Sequence, residues 1–291
     1  MNYSCCKIYA GSGLKINIYS DRESYISKLE DYLLFSNYPD KQKPRFKINL
    51  YLSTQKHVLI NNRDNLAAAK EAFFIDVIKK EIRVFVPQAC KKHNSVFHND
   101  VFIRPVSCLL NALGFYAIHA SLVCKNRGYI FFPGPGGRGK STFGCILALS
   151  GFKLLCDDMV FMNKANNRFA LIPLRTLIKI DNKAKKAFID LNSIVIKEMP
   201  IRSLDRELFL VFPHFCKNIK PRLNFISRKE GINRLISDNL VSDTGHANNG
   251  ISQVSILDFI CQLGKQAMFF EISYNDKNLI AAGELVKELC V

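Results

Sequence analysis

Residues 131–144 read FFPGPGGRGKSTFG. The apolar run 129–132 before the glycines is typical of a short buried strand, and residues 141–150 after them predict a helix that ends at Gly151. Between these two elements, residues 134–141 match the phosphate loop pattern G-x-x-x-x-G-K-S. Glycines let backbone N–H groups turn towards phosphate oxygens, and the positive end of the helix lies at the same place. The stretch therefore predicts an α/β fold with a nucleotide-phosphate site.

Two side chains of the phosphate loop carry specific chemistry. Lys140 would place a positive charge at the β- and γ-phosphates, and the Ser141 hydroxyl would ligate Mg²⁺. The alternative is an ordinary glycine-rich turn between a strand and a helix. The Gly-Lys-Ser ending and the two flanking elements favour the phosphate site over that alternative.

A β-hairpin is predicted just before the loop, in residues 119–133. Two apolar runs flank Asn126, Arg127 and Gly128, which are typical turn residues. If the turn centres on Asn126 and Arg127, His119 faces Gly134 at the mouth of the loop. The segment before the hairpin, residues 102–118, has apolar positions close to helical spacing and is predicted as a helix.

A pair of adjacent acids follows the loop helix in the segment 153–162, KLLCDDMVFM. We expect one strand that carries Asp157 and Asp158 on opposite faces, because neighbouring strand residues alternate. One carboxylate would then approach the Mg²⁺ side of Ser141, and the other would approach an incoming nucleophile. The alternative is two solvated aspartates at the end of a strand, which their apolar neighbours disfavour.

The remaining pattern predicts two domains. Residues 1–100 form a β-rich N-terminal module, with strands expected at 7–19, 45–53, 73–78 and 82–86, and residues 101–291 form the domain that carries the phosphate loop. The polar and basic segment 217–250 is predicted as a surface loop.

Composition limits the class of protein. The chain has 291 residues, of which 48% are apolar, and no run of 18 apolar residues that would predict a membrane span. No signal peptide is recognised at the start, so a cytoplasmic protein is expected. The ten cysteines include no C-x-x-C pair, and five of them lie in apolar segments: Cys108, Cys124, Cys145, Cys156 and Cys261. Buried free thiols are therefore expected, and no function is assigned to the neighbouring Cys5 and Cys6.

The formal net charge is +16, and residues 164–234 hold sixteen Lys or Arg against six Asp or Glu. Three interpretations are open: a solvated basic surface, a surface for an acidic substrate, and a nucleic-acid surface. The charges are spread out and few aromatic residues lie among them, which favours the first interpretation, then the second, and places nucleic acid last.

His119, the phosphate loop and the Asp157–Asp158 pair together resemble the kinase core of the HPr kinase/phosphorylase family. His119 lies 21 residues before Lys140, and Asp157 lies 17 after it, as in that family. The stretches 73–87, 114–123, 208–215 and 266–289 are similar to a subgroup of HPr-kinase-like proteins linked with peptide maturation, including kinases of lasso-peptide precursors. The family's second signature has no clear counterpart here, so the resemblance does not extend to phosphorylase activity or to HPr as the substrate.

The resemblance implies a P-loop kinase core of the HPr kinase/phosphoenolpyruvate carboxykinase-like type, with ATP and Mg²⁺ as cofactors. Asp157 would be the catalytic base, and His119 would position that carboxylate; Asp158 and Ser141 would hold Mg²⁺. The implied nucleotide-binding residues are Gly134, Pro135, Gly136, Gly137, Arg138, Gly139, Lys140, Ser141 and Thr142, with Thr142 at the α-phosphate.

The leading functional prediction is ATP-dependent transfer of phosphate to a hydroxyl, in the first place a serine of a peptide or protein, and whether that substrate is acidic stays open. Three alternatives stay open: a kinase of small molecules, a nucleotide-binding regulatory module without turnover, and a nucleic-acid-dependent ATPase. No membrane partner is expected, and the sequence leaves open whether the chain forms a homo-oligomer.

Overall fold

The computed structural model describes residues 3, 5–11, 14–30, 46–54, 73–86, 97–126, 128–165, 168–174, 207–238 and 253–290. The chain divides into two compact units, and the division falls between Phe115 and Tyr116. Both units combine helices with sheets, as expected for an α/β protein. Residues 239–250 of the predicted surface loop lie outside the described residues.

The first unit contains a five-stranded sheet in the order β1-β2-β3-β5-β4. Its strands are β1 (Cys5–Gly11), β2 (Leu14–Ser20), β3 (Phe46–Ser53), β4 (Phe73–Asp76) and β5 (Glu81–Phe85). The predicted strand 7–19 is in fact a hairpin, with Gly11 opposite Leu14. β2, β3 and β5 run parallel, while β1 and β4 are antiparallel edge strands. Helix α1 (Glu23–Glu30) connects to β2 and buries Tyr25, Ile26 and Leu29.

The helix predicted at 102–118 is shorter than expected. A π-helical turn (Asn99–Ile103) leads into helix α2 (Arg104–Ala112), and the chain is already a strand at Tyr116. Gly114 has a φ of 82° and its N–H donates to the carbonyl of Asn111, which ends the helix. Because α2 contacts β4 and β5, it belongs to the first unit, and the division therefore falls later than the predicted boundary after residue 100.

The second unit contains an eight-stranded sheet in the order β10-β9-β6-β7-β11-β13-β12, with β8 also paired to β6. These strands are β6 (Tyr116–Lys125), β7 (Gly128–Pro133), β8 (Lys153–Cys156), β9 (Met159–Ala165), β10 (Arg168–Leu174), β11 (Glu207–Phe215), β12 (Arg222–Phe225) and β13 (Ala267–Tyr274). β7, β11 and β13 are mutually parallel, so their carboxyl ends meet at one edge of the sheet. In doubly wound sheets, ligands bind at such an edge.

The hairpin register agrees with the prediction. β6 and β7 pair antiparallel from Ala120 opposite Pro133 to Lys125 opposite Gly128. The phosphate loop therefore leaves β7 directly beside the start of the paired part of β6, where His119 lies.

The single strand predicted at 153–162 is interrupted. β8 ends at Cys156, β9 begins at Met159, and the two aspartates occupy the bend between them. Both strands pair with β6, which has an irregularity in register between Leu122 and Val123. Because the pairing shifts there, the strict alternation of faces does not hold at Asp157 and Asp158.

Four further helices complete the second unit: α3 (Lys140–Leu149), α4 (Arg228–Ile236), α5 (Gln253–Gln266) and α6 (Leu279–Lys287). The predicted surface loop at 217–250 is wrong for its first part, which forms β12 and α4. Ser227 caps α4 by accepting a hydrogen bond from the N–H of Glu230. Helix α3 contacts β6, β7, β8 and α6.

The described cysteines include buried thiols at Cys124, Cys145, Cys156 and Cys290, whereas Cys261 is exposed, contrary to its apolar sequence context. Cys261 lies on α5 on a face that solvent reaches. In the parts of the chain that the structure describes, no helix is long and apolar enough to cross a membrane.

Candidate active site

The phosphate loop joins β7 to α3 at the edge of the sheet where the parallel strands end. Gly134, Gly137 and Gly139 have φ values of 134°, 77° and 87°, which side chains other than glycine rarely adopt. Lys140, Ser141 and Thr142 form the first turn of α3, so the backbone N–H groups that have no helical partner point into the loop. This is the arrangement that cradles phosphate oxygens.

Lys140 is only 6% exposed, and its Nζ donates to the carbonyl of Pro135 at 2.9 Å. Burial lowers the pKa of this ammonium, while the charges of Asp158, Asp157 and Asp238 oppose that shift. A buried cation surrounded by carboxylates and open loop amides is well placed to bind the β/γ end of a triphosphate.

Tyr274 lies at the end of β13 and contacts the phosphate loop. Its hydroxyl donates to the carbonyl of Arg138 at 3.1 Å, and its ring packs edge-on against Phe143 of α3. A Cβ at Gly139 would overlap the tyrosine hydroxyl. The loop shape therefore depends on glycine at position 139 for two reasons, its positive φ and this close approach.

Asp157 is the most perturbed acid of the site. It is 7% exposed, and burial raises its pKa to about 7; the charge of Asp158 adds to the rise, while hydrogen bonds with Ser141 and Ser121 and the charge of Lys140 oppose it. Ser121 reaches this position because Gly144 of α3 lacks a Cβ, which would collide with the Ser121 hydroxyl. The structure thus brings Asp157 to Ser141, the predicted Mg²⁺ ligand.

His119 faces Asp158 and not Asp157. Its Nε2 lies 3.1 Å from Oδ1 of Asp158, whose side chain is 36% exposed. The backbone N–H of Ala120 also donates to the carbonyl of Asp158 at 3.1 Å, which ties the bend to β6. The structure thus brings His119 to Asp158, because the bend turns the second aspartate towards β6. The positioning of Asp157 by His119 stays a prediction.

The residues present fit ATP and Mg²⁺. In the described part of the chain, no atom lies within 4 Å of the Cβ positions of Gly136 and Gly137, which leaves open space beside the loop amides. Among the described residues, Oδ1 of Asp157 is buried without a hydrogen-bond partner, as expected for an oxygen that awaits a cation. No group of three His, Cys, Asp or Glu side chains converges within the described ranges. Magnesium would thus depend on Ser141, one carboxylate and the phosphates, which is usual for Mg²⁺ with nucleotides.

Sequence reasoning missed Asp238, which follows α4 and approaches the loop. Its Oδ2 lies 3.8 Å from the Cβ position of Gly134, and the charges of Lys140, Arg138 and His119 act on it. Burial raises the pKa of this carboxyl. Asp238 falls in the segment predicted as a loop, and a polar helix such as α4 leaves no apolar pattern that would have placed it near the site.

Comparisons with known proteins give a limited result. No family model matches the chain, and no curated protein matches it. Among solved structures, the Hpr(Ser) kinase/phosphatase from Coxiella burnetii is similar over 60% of this chain and 95% of that chain, with 14% sequence identity and a TM-score of 0.27. A similarity at this level carries no argument about activity, so the functional proposal depends on the geometry of the site.

Gly139→Ala is expected to destabilise the protein by about 1–3 kcal/mol, because alanine would adopt a left-handed conformation and its Cβ would meet Tyr274. Gly136→Ala, with open space around its Cβ position, should change stability by less than about 0.5 kcal/mol. Urea unfolding measures both. The double variant Gly139→Ala, Tyr274→Phe should recover part of the stability that Gly139→Ala loses. If Gly139→Ala is as stable as wild type, the assigned loop geometry is contradicted.

The metal-free Asp157→Asn variant is expected to be more stable than wild type at alkaline pH. The pKa of Asp157 is raised from 3.8 to about 7 in the folded protein. The stability that its protonated form contributes is therefore fully present below pH 3.8 and is lost as pH rises through 7. The free energy of unfolding of the variant should therefore exceed that of wild type by on the order of 3–4 kcal/mol above about pH 8, and by almost nothing near pH 4. Urea unfolding at both pH values tests this; a difference that does not vary with pH would contradict it.

Proposed function

We propose that this chain is a kinase that transfers the γ-phosphate of ATP to a hydroxyl, most plausibly a serine of a peptide or protein. The observation that carries the proposal is the convergence of the phosphate loop, Lys140, Asp157 and Asp158 at one edge of the sheet. We assign the second unit to the P-loop kinase cores of the HPr kinase/phosphoenolpyruvate carboxykinase-like type on the same residues.

The proposed mechanism is mainly one of positioning and charge. The backbone N–H groups of Gly134 and of residues 136–140, together with the Lys140 ammonium, would bind the triphosphate, with Thr142 near the α-phosphate. Mg²⁺, when bound, would neutralise charge on the β- and γ-phosphates. Because a hydroxyl has a pKa far above 7, a carboxylate must accept its proton while the two reacting groups are held in line.

The two aspartates divide these tasks, and the geometry supports a division opposite to the one implied by the family resemblance. Asp157 is buried beside Ser141 and has an unsatisfied oxygen, so we assign it to the metal side. Asp158 is more exposed and lies against His119, so we assign it as the base, with His119 as the residue that orients it. The resemblance had implied Asp157 as base and Asp158 as metal ligand.

The main alternative that is not an enzyme is a regulatory module that binds nucleotide without turnover. Such a module needs the loop and Lys140 but no carboxylate with an orienting histidine. The His119–Asp158 pair beside the loop therefore favours turnover.

The proposal is tested by release of ADP from Mg·ATP with serine-containing peptides, each matched to a peptide in which the serine is alanine. We expect ADP release that requires the serine peptide and a phosphorylated product detected by mass spectrometry. ADP release that is the same with both members of every pair would indicate an ATPase. Nucleotide binding without any turnover would support the regulatory alternative.

A further inference from the structure

A pocket of about 300 Å³ opens beside the phosphate loop. Pro135 and Arg138 of the loop form one wall, and Phe212, His214 and Arg234 lie on the other side. β7 and β11 pair only as far as Phe131 and Leu210, so the chains separate beyond that point and leave the pocket between their carboxyl ends. A volume of this size fits a small ligand or one residue of a peptide.

The position of Lys140 indicates which end of ATP the pocket would meet. Its Nζ is bonded to Pro135, which lines the pocket. Because the lysine of a phosphate loop contacts the β- and γ-phosphates, the γ-phosphate would lie at this end of the loop. The pocket is therefore next to the transferable phosphate, where an acceptor must enter.

The far wall of the pocket holds an arginine in a fixed orientation. Nη2 of Arg234 lies 2.6 Å from Oε1 of Glu230 and 2.8 Å from Oε2 of Glu271, and its guanidinium stacks over the ring of Phe212 at 5.5 Å. Both ion pairs are recorded at Nη2, one of the three nitrogens of the planar guanidinium. The side chain is 32% exposed. A guanidinium held in this way is preorganised to bind a carboxylate with its remaining N–H groups.

His214 extends the same wall. Its Nδ1 lies 3.5 Å from Oε2 of Glu271, which leaves Nε2 outside that contact. Glu271 thus has two partners: burial raises its pKa, but the hydrogen bond and charge of Arg234 and the contact with His214 outweigh burial and lower it. Its negative charge is used to hold Arg234 and His214.

Asp238 also lines the pocket, and its Oδ2 lies 3.8 Å from the Cβ position of Gly134. A second anion directly beside this carboxylate is disfavoured. An acceptor with a carboxylate would therefore place that group at Arg234 and leave its hydroxyl towards the phosphate loop.

We propose that this pocket is the acceptor subsite and that it selects a hydroxyl with a neighbouring carboxylate, which Arg234 and His214 bind. This inference rests on the proposed kinase function for its place in the reaction, although carboxylate binding can be measured without turnover. The carboxylate has two sources, an acidic residue next to a serine in a peptide or a small hydroxy acid, and separate probes distinguish them.

The peptide probes are acetyl-Ser-Glu-amide and acetyl-Ser-Gln-amide, and the small-molecule probes are L-serine and L-serinamide. Binding is measured by calorimetric titration in the presence of Mg²⁺ and a non-hydrolysable ATP analogue, and phosphate transfer is measured with ATP. In wild type, we expect the acid of at least one pair to bind about 10–100-fold more tightly than its neutral partner.

Two variants and a control test the assignment. Arg234→Gln removes the charge, while Arg234→Lys keeps the charge and an ion pair but lacks the planar fork. Both should reduce the preference for the acid to less than about threefold and leave affinity for the ATP analogue within about twofold. Lys229→Gln, at an exposed position of the same helix α4, also removes one positive charge and should keep the wild-type preference.

The outcomes separate the subsite from the kinase proposal. Equal binding and transfer of both members of each pair by wild type would overturn the subsite and leave the kinase intact. A carboxylate preference that persists in both folded Arg234 variants would also overturn it. Arg234-dependent binding of the acid without transfer to any probe would support the subsite and count against kinase activity on these acceptors.

Discussion

Asp158→Asn is expected to lower phosphate transfer by a factor on the order of 10²–10⁴ while Mg·ATP binding stays within about threefold of wild type. The reason is the assignment of Asp158 as the base, since asparagine cannot accept the proton of the acceptor hydroxyl. The amide can still hydrogen-bond His119, so the local structure should be kept. Transfer is followed by mass spectrometry and nucleotide affinity by calorimetric titration.

Asp157→Asn should give the complementary result. If Asp157 lies on the metal side, this variant loses most of the gain in ATP affinity that Mg²⁺ provides, and affinity for metal-free ATP changes little. Asp258→Asn, an exposed position on α5, is the matched control and should behave as wild type. Should Asp157→Asn keep Mg·ATP affinity but lose transfer, the roles of the two acids are those implied by the family resemblance. If neither variant changes turnover or metal dependence, the pair is structural.

Lys140→Ala is expected to weaken Mg·ATP binding by at least about one to two orders of magnitude, because charge-assisted contacts to the phosphates are lost. The folded protein should be at least as stable as wild type, since burial lowers the pKa of Lys140 and its charged form is therefore costly inside the fold. Lys153→Ala, at an exposed position of β8, is the control for loss of one lysine. Unchanged affinity in a folded Lys140→Ala protein would contradict the phosphate-loop assignment.

The sequence was sufficient to predict the frame of the site. The turn residues Asn126 and Arg127 between two apolar runs specify the hairpin register, because the position and length of the turn determine which residues pair. Gly151 marks the end of α3, where its φ is 89°. These features depend on short-range patterns, which a single sequence displays directly.

The partner of His119 could not be predicted in the same way. Strict alternation along 153–162 would have placed the two aspartates on opposite faces, but the register irregularity between Leu122 and Val123 and the bend after Cys156 change where each points. Such an irregularity arises from pairing with β6 rather than from the local residues, and neighbouring Asp residues give no signal for it.

The position of Asp238 and Arg234 depends on long-range packing. Helix α4 buries only Gly231 and Leu235, so its sequence has little apolar periodicity. Gly231 lies against the ring of Phe269 on β13, and that contact brings the helix to the edge of the sheet. A contact between residues so far apart in sequence leaves no pattern in α4 that would reveal it.

We propose above all that the chain transfers the γ-phosphate of ATP to a hydroxyl. The most direct measurement is transfer of label from γ-labelled ATP to serine-containing acceptors by wild type and by Lys140→Ala, with serine-to-alanine acceptors in parallel. We predict that label appears on the serine acceptor with wild type, requires Mg²⁺, and is absent with Lys140→Ala or with the alanine acceptor. Label that is released only as inorganic phosphate, equally with both acceptors, would contradict the account.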